Sequence, residues 1–431
     1  MATKAKLKRT LGFWEVTFFG VGIILGAGIY ALIGAAAGIT GNATWLAFVI
    51  SAIVGGFTAL SYAELSAMFP HAGAEYVYVE KSFKKEIAFL VGWMIIIGTV
   101  LGAATVSLGF AGYLSVFLKY PIIPVAIALI GVSTFVNIYG IKESAIIGVI
   151  FSIIEVVGLI AVIIIGLPYL GDVDYTQMPM DGIYNLFISA ALVFFAYLGF
   201  ETIPRLSEET KDPEKTIPSA TLLSLAISTV IYVLVAIVAV SVVPWDKLAT
   251  SHAPLAEVAS IALGNNARML LAITALFATA NTVLLMLVTD SRLLYGMANE
   301  GILPKKLANV HLTQKTPWIA AIVVGGLSMF AVLAGDITFL ANSTNFTVLV
   351  TFTIINLSVI WFNYREPAAK RPYLSPRIGS FPVSAVFGTA TSILLLSSTG
   401  INAIIAGSIV ILVGLLFYLA MRQINRVVRT K

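Results

Sequence analysis

Runs of about twenty apolar residues, parted by short polar breaks, follow one another along the whole chain. A bilayer core about 30 Å thick is crossed by about 20 helical residues, so each run has the length of one crossing. The pattern predicts twelve spans, near 11–37, 43–69, 87–117, 121–140, 144–168, 182–204, 217–243, 268–290, 317–335, 337–363, 380–398 and 401–421. A thirteenth stretch, 252–263, is amphipathic and too short to cross; it is expected on the surface between the seventh and eighth spans. Most breaks carry Gly, Pro or charge, as at Phe69-Pro70-His71 and Tyr120-Pro121. The first apolar run, Leu11 to Ala37, exceeds the 7–15 residues of a signal-peptide core and is expected to persist as the first helix.

Composition agrees with the pattern. Of 431 residues, 59% are hydrophobic and 11% charged, with a mean hydropathy of +0.98. Soluble domains carry about 25% charge; this chain has too little polar surface to face water and is expected to be solvated by lipid. The net charge of +5 is distributed by side rather than clustered. With the N-terminus inside and twelve alternating spans, all but three of the 26 basic residues fall on the inner side, the exceptions being Lys119, Lys247 and Arg268. That is the positive-inside pattern, which puts both termini in the cytoplasm of a multi-pass cell-membrane protein and argues against a nucleic-acid partner. Cysteine is absent, so there is no disulfide-linked ancillary subunit, thiolate site or cysteine nucleophile. His71, His252 and His311 are scattered without metal-ligand spacing, and neither a metal nor a cofactor is expected.

Two spans read poorly as plain helices. The first holds Gly20, Gly22, Gly26 and Gly28 within nine residues. Glycine costs about 1 kcal/mol in a helix relative to alanine, so the cluster favours unwinding at mid-depth; a small-residue packing face is the other reading. The sixth span holds Phe194-Phe195-Ala196-Tyr197-Leu198-Gly199-Phe200-Glu201, an aromatic cluster with one glycine and a carboxylate. Interrupted helices at corresponding places of two inverted repeats mark a transporter's binding site. Half-helix N-termini there suit a carboxylate, and freed carbonyls suit an ammonium.

At these residues the chain resembles the amino acid–polyamine–organocation superfamily of transporters, above all its cationic amino acid transporter branch and prokaryotic relatives. Gly26-Ala27-Gly28-Ile29-Tyr30 resembles the broken first helix and Phe194 to Glu201 the broken sixth. Ser61-Tyr62-Ala63-Glu64-Leu65, with Pro70 to Tyr76 and Tyr78, resembles the end of the second. Glu208 to Pro218 resembles the loop into the seventh, and Ser291 to Ala298 with Gly301 and Pro304 the end of the eighth. The resemblance implies a 5+5 inverted-repeat core with discontinuous helices 1 and 6: a first repeat over 11–168, an inverted one over 182–363, and two trailing helices over 380–421 between cytoplasmic tails 1–10 and 422–431. It implies alternating access, an α-carboxylate held near Gly26, Ala27 and Gly28, and an α-ammonium held near Ile24, Phe195 and Leu198. Phe195 or Phe194 would be an aromatic gate, with Ala196 and Gly199 in the same segment and Ala27, Ala196, Ala103 and Ala104 leaving room for substrate.

Intramembrane carboxylates are functional candidates because a charge at the bilayer centre costs at least about 2.5–3.5 kcal/mol. Glu15 and Glu64 lie near span ends, where solvation or a bond to a loop explains them. Glu201 follows the sixth-span break, as a gate, a structural pair or a substrate contact. Glu155 lies mid-span among Val, Ile and Gly, where the resemblance sets it against a lysine in several proton-coupled relatives and an asparagine in cationic ones; it is read as a proton carrier, a partner for a cation, or a structural acid. Thr279, Asn281 and Thr282 are expected to face it. The expected function is secondary active transport of amino acids, by proton-coupled symport or exchange. The alternatives are transport of polyamines or other organic amines lacking a carboxylate and, from another class, a channel. No P-loop or clustered catalytic motif supports an enzyme.

Overall fold

The computed structural model describes residues 9–71, 74–139, 144–179, 182–299, 301, 303–311, 313–314 and 316–429. Residues 1–8, Ala72, Gly73, Lys142 and Lys315, which figure in the motifs and charge pattern, lie outside the described residues. Sixteen α-helices are described. The first predicted span is two helices, α1 (Phe13–Ile24) and α2 (Gly28–Thr40). Then come α3 (Thr44–Met68), α4 (Ala74–Ser82), α5 (Lys85–Leu114), α6 (Ile122–Tyr139) and α7 (Ser144–Gly166). The sixth span is α8 (Ile183–Val193), a tight 3₁₀ turn over Phe194–Tyr197, and a second 3₁₀ stretch over Phe200–Leu206. After it run α9 (Pro213–Val242), α10 (Trp245–Thr250), α11 (Pro254–Leu263), α12 (Asn265–Asn299), α13 (Trp318–Val332), α14 (Ile337–Arg365), α15 (Val383–Ser397) and α16 (Ile401–Arg429).

Among the described residues nine helical stretches are long and apolar enough to cross a membrane, and four further apolar helices are shorter. Large apolar side chains cover the outside, among them Phe135, Phe330, Ile409 and Leu412. Soluble monomers do not sustain such a surface; lipid does. The 252–263 stretch forms α11 between α9 and α12, with Leu255, Ala256, Val258 and Ala259 buried on its inner face and Ile261 and Leu263 exposed. The last helix continues to Arg429, beyond the span end at 421, because hydropathy marks where apolar residues end and not where helical hydrogen bonding ends.

Two apolar cores lie side by side. One joins α1, α3, α8 and α9 through Ile24, Phe48, Phe194, Ala196, Tyr197 and Tyr232. The other joins α5, α6, α12 and α13 through Ala103, Ala104, Ile130, Val283, Leu287 and Val324, and it takes in Ala27 and Phe195 from the interrupted helices. The breaks therefore sit on the seam between the cores.

Contacts at the ends of the bundle group the connecting segments. The N–H groups of Thr10 and Leu11 donate to the Glu209 carbonyl. At the same end Glu64, fully buried near the close of α3, accepts from Arg371 (2.5 Å), Arg377 (3.0 Å) and the hydroxyl and N–H of Ser375 (2.5 and 3.1 Å). A carboxylate thus holds the 366–382 connection, the loop role expected of it. Removing one member of a buried ion pair typically costs about 3–5 kcal/mol, since the remaining charges stay buried. Glu64→Gln is expected to lower the thermal unfolding temperature of the purified protein sharply; an unchanged transition would show that the arginines find water instead.

Candidate functional site

The four glycines of the first span divide their labour. Gly20 and Gly22 remain helical and serve packing: a Cβ on Gly20 would meet Ile203 and Ser224 at 2.5 Å, and one on Gly22 would meet Ser152 at 3.2 Å. The chain leaves the helix only over Leu25, Gly26 and Ala27. Leu25 N–H closes α1 on the Val21 carbonyl (2.8 Å), and Ala31 N–H opens the ladder of α2 on Ala27 (3.0 Å). No side chain caps α2. The N–H groups of Gly26, Ala27, Ile29 and Tyr30 have no acceptor among the described residues. Of the four glycines only Gly26 lies in the unwound stretch, while Gly20, Gly22 and Gly28 are helical at close packing contacts.

In the sixth span Gly199 makes the turn at φ +130°, a conformation other residues rarely adopt. Its N–H donates to Glu201 Oε2 (2.7 Å), so Glu201 closes the turn locally. The two breaks approach backbone to backbone. A Cβ on Gly28 would lie 2.6 Å from Ala196 Cα, and one on Gly199 would lie 3.2 Å from the Ile23 carbonyl oxygen.

Carbonyls beside the interruptions accept side-chain hydrogen bonds from three other helices. Ser51 of α3 donates to Ala190 (2.7 Å), and the Asn345 amide of α14 donates to Ala191 (2.6 Å) and Leu192 (3.2 Å). The Tyr232 hydroxyl of α9 bridges Ile24 and Ala196 (2.9 Å to the latter), joining both breaks. Its one proton serves two carbonyls.

The aromatic pair separates. Phe194 is fully buried in the first core, edge-on to Phe352 at 6.0 Å between ring centroids. Phe195 lies on the seam, beside Gly102 and Met286: a Cβ on Gly102 would stand 3.7 Å from its ring and 3.3 Å from Met286. Leu198 borders both cores, and its N–H reaches the Phe195 carbonyl (3.3 Å). Of the trio on α12, Thr282 lies by the first break, where a Cβ on Gly26 would be 3.5 Å from its hydroxyl. The Thr279 hydroxyl turns back to Ala275 (2.6 Å), and buried Asn281 makes no hydrogen bond among the described residues. None of the three bonds Glu155.

Glu155 is 2% exposed, and its Oε1 has no hydrogen-bond partner among the described residues. The Tyr30 hydroxyl donates to its main-chain carbonyl (3.0 Å), and Tyr113 donates to the Tyr30 carbonyl (3.1 Å). The Glu155 main chain is thus tied through Tyr30 to α2, just past the first break.

Sequence reasoning passed over Tyr232, Asn345 and Asp290. Asp290 ends the predicted eighth span, but α12 runs nine residues further and leaves it 2% exposed, with neither carboxylate oxygen partnered among the described residues. Arg205 pairs with Glu75 of α4 (3.0 Å). A cleft of about 710 Å³ between α4, α5 and α16, lined by Lys81, Lys84 and Arg422 among others, contains none of these residues.

A lipid-sheathed helical protein whose two central helices part where their backbones meet, on the seam between two cores, is built as a carrier. Comparison with known proteins agrees. A family described as amino acid permease matches residues 11–425. The branched-chain amino acid permease BcaP of Bacillus subtilis is 30% identical over 96% of this chain and 92% of its own length. The methylthioribose transporter of the same organism is 27% identical over 88% and 86%, and the human cationic amino acid transporter 4 is 28% identical over 84% and 61%. The chain belongs to the amino acid permease family. Relatives named as permeases and transporters place it with carriers, not enzymes.

Proposed function

We propose that this carrier binds a zwitterionic amino acid between the two breaks and moves it by alternating access, rocking one apolar core against the other. The uncapped N–H groups from Gly26 to Tyr30, set against the sixth-span turn, carry this reading. They meet the α-carboxylate at the positive end of α2. Carbonyls of Ile24, Phe195 and Leu198 meet the ammonium. Phe195, rather than Phe194, closes over the substrate, and Ala27, Ala103, Ala104 and Met286 line the side-chain space. That lining favours an apolar side chain over a cationic one. The basic end of the bundle faces the cytoplasm with both termini, in a twelve-span arrangement. Glu155 exchanges the coupling proton.

Binding tests this directly. Leucine is expected to stabilise the purified protein against heat, while its methyl ester and its decarboxylated amine bind at least about fivefold more weakly. Each leaves buried polar groups unpaired at about 1–3 kcal/mol. An amine that binds as well as its parent acid would make this an amine site. Methylthioribose binding in place of every amino acid would move the chain to the other kind of substrate found among its relatives.

A further inference from the structure

A helix cut at mid-bilayer exposes carbonyls that water cannot reach, and such a break survives only where neighbouring groups satisfy them. In α8 the carbonyls concerned are those of the last turn, Ala190 to Val193, of which Ala190 and Leu192 also accept from the Phe194 N–H. One buried amide meets two of them: Asn345 Nδ2 reaches Ala191 at 2.6 Å and Leu192 at 3.2 Å from the middle of α14. Asn345 is fully buried, and no solvent competes for its donors. An asparagine amide has two N–H bonds, matching two successive carbonyls. The residues that follow are Phe194 and Phe195, so the direction in which α8 ends sets where the aromatic pair and the Phe195 carbonyl stand. We infer that Asn345 is a positioning residue for substrate binding: its amide holds the end of α8 so that Phe195 and the sixth-span carbonyls face the seam. The inference rests on the reading of the breaks as the amino acid site.

A second amide on the same helix supplies a control. Asn356, also fully buried, donates to Thr58 of α3 at 3.1 Å and touches neither break. Losing the amide donor removes two buried hydrogen bonds at Asn345 and one at Asn356, so both substitutions are expected to lower thermal stability. Only the one at Asn345 alters the end of α8.

The experiment measures leucine affinity and thermal stability for wild type, Asn345→Asp and Asn356→Ala, with transport KM and maximal rate after reconstitution. Asn345→Asp keeps the shape and loses the donors; affinity is expected to fall at least tenfold with KM rising in step, while Asn356→Ala binds within twofold of wild type. Should Asn345→Asp not yield folded protein, Asn345→Ser keeps a single donor and is expected to lose about three- to tenfold in affinity. A folded Asn345 variant that binds like wild type overturns the inference, and so does an equal affinity loss in Asn356→Ala. Wild type that binds no amino acid would fault the site reading itself, which separates the two failures.

Discussion

Gly28→Ala is expected to abolish substrate binding, and Gly26→Ala to weaken it far less. Both glycines belong to one motif, and sequence alone treats them alike. A Cβ at position 28 would sit 2.6 Å from Ala196 Cα and 3.2 Å from its nitrogen, against backbone that has no rotamer with which to yield. At position 26 the nearest atoms are the Ile23 carbonyl oxygen at 3.2 Å and the Thr282 hydroxyl at 3.5 Å, where a few tenths of an ångström suffice. Forcing the breaks apart at position 28 separates the N–H groups of α2 from the carbonyls of the sixth span, so one substitution removes both halves of a zwitterion site. The expected loss exceeds a hundredfold in affinity for Gly28→Ala and stays within about tenfold for Gly26→Ala, measured by leucine binding to folded, monodisperse protein. Equal effects at the two positions would contradict the contact between the breaks.

The other large effect falls on coupling. Glu155→Gln is expected to eliminate accumulation driven by an acidic outside medium while leaving exchange of labelled for unlabelled substrate nearly intact. The carboxyl group is buried in mid-span, and its Oε1 has no hydrogen-bond partner among the described residues. Glutamine preserves size and polarity but cannot titrate. Proteoliposomes with an imposed pH gradient read the first quantity, and counterflow without a gradient reads the second. If the variant instead loses only cationic substrates, the carboxylate balances a side-chain charge. A variant equal to wild type in pH dependence and substrate preference would reduce Glu155 to a structural acid.

How far the residues themselves foretold this arrangement differs by level. Apolar run length located the helices because lipid imposes one thickness on every crossing, and the clustered glycines pointed to the first break because their helix penalty is local. The division among the glycines was not legible: Gly20 and Gly26 differ in what a neighbouring helix places beside them, Ile203 and Ser224 for one and open seam for the other. Nor does sequence rank Phe194 against Phe195, adjacent residues of one type whose 3₁₀ turn sends one to Phe352 and the other to Met286. Tyr232 and Asn345 lie far along the chain from the backbone they bind, and each is an ordinary polar residue in an apolar run. Asp290 was hidden for a different reason, since a hydropathy window ends where charge appears even when the helix continues inward.

The two side-by-side cores bear on how the protein tolerates change. Each keeps its own packed interior, so the rocking motion proposed above would remake contacts along the seam and leave most buried area untouched. Substitutions deep in one core, around Phe48 or Ile130, are then expected to shift the melting temperature without altering the turnover rate. Substitutions along the seam, around Ala27, Gly102 or Met286, are expected to change turnover with little effect on melting. Robustness and speed are therefore separately adjustable in this fold, because different surfaces of the same helices set them.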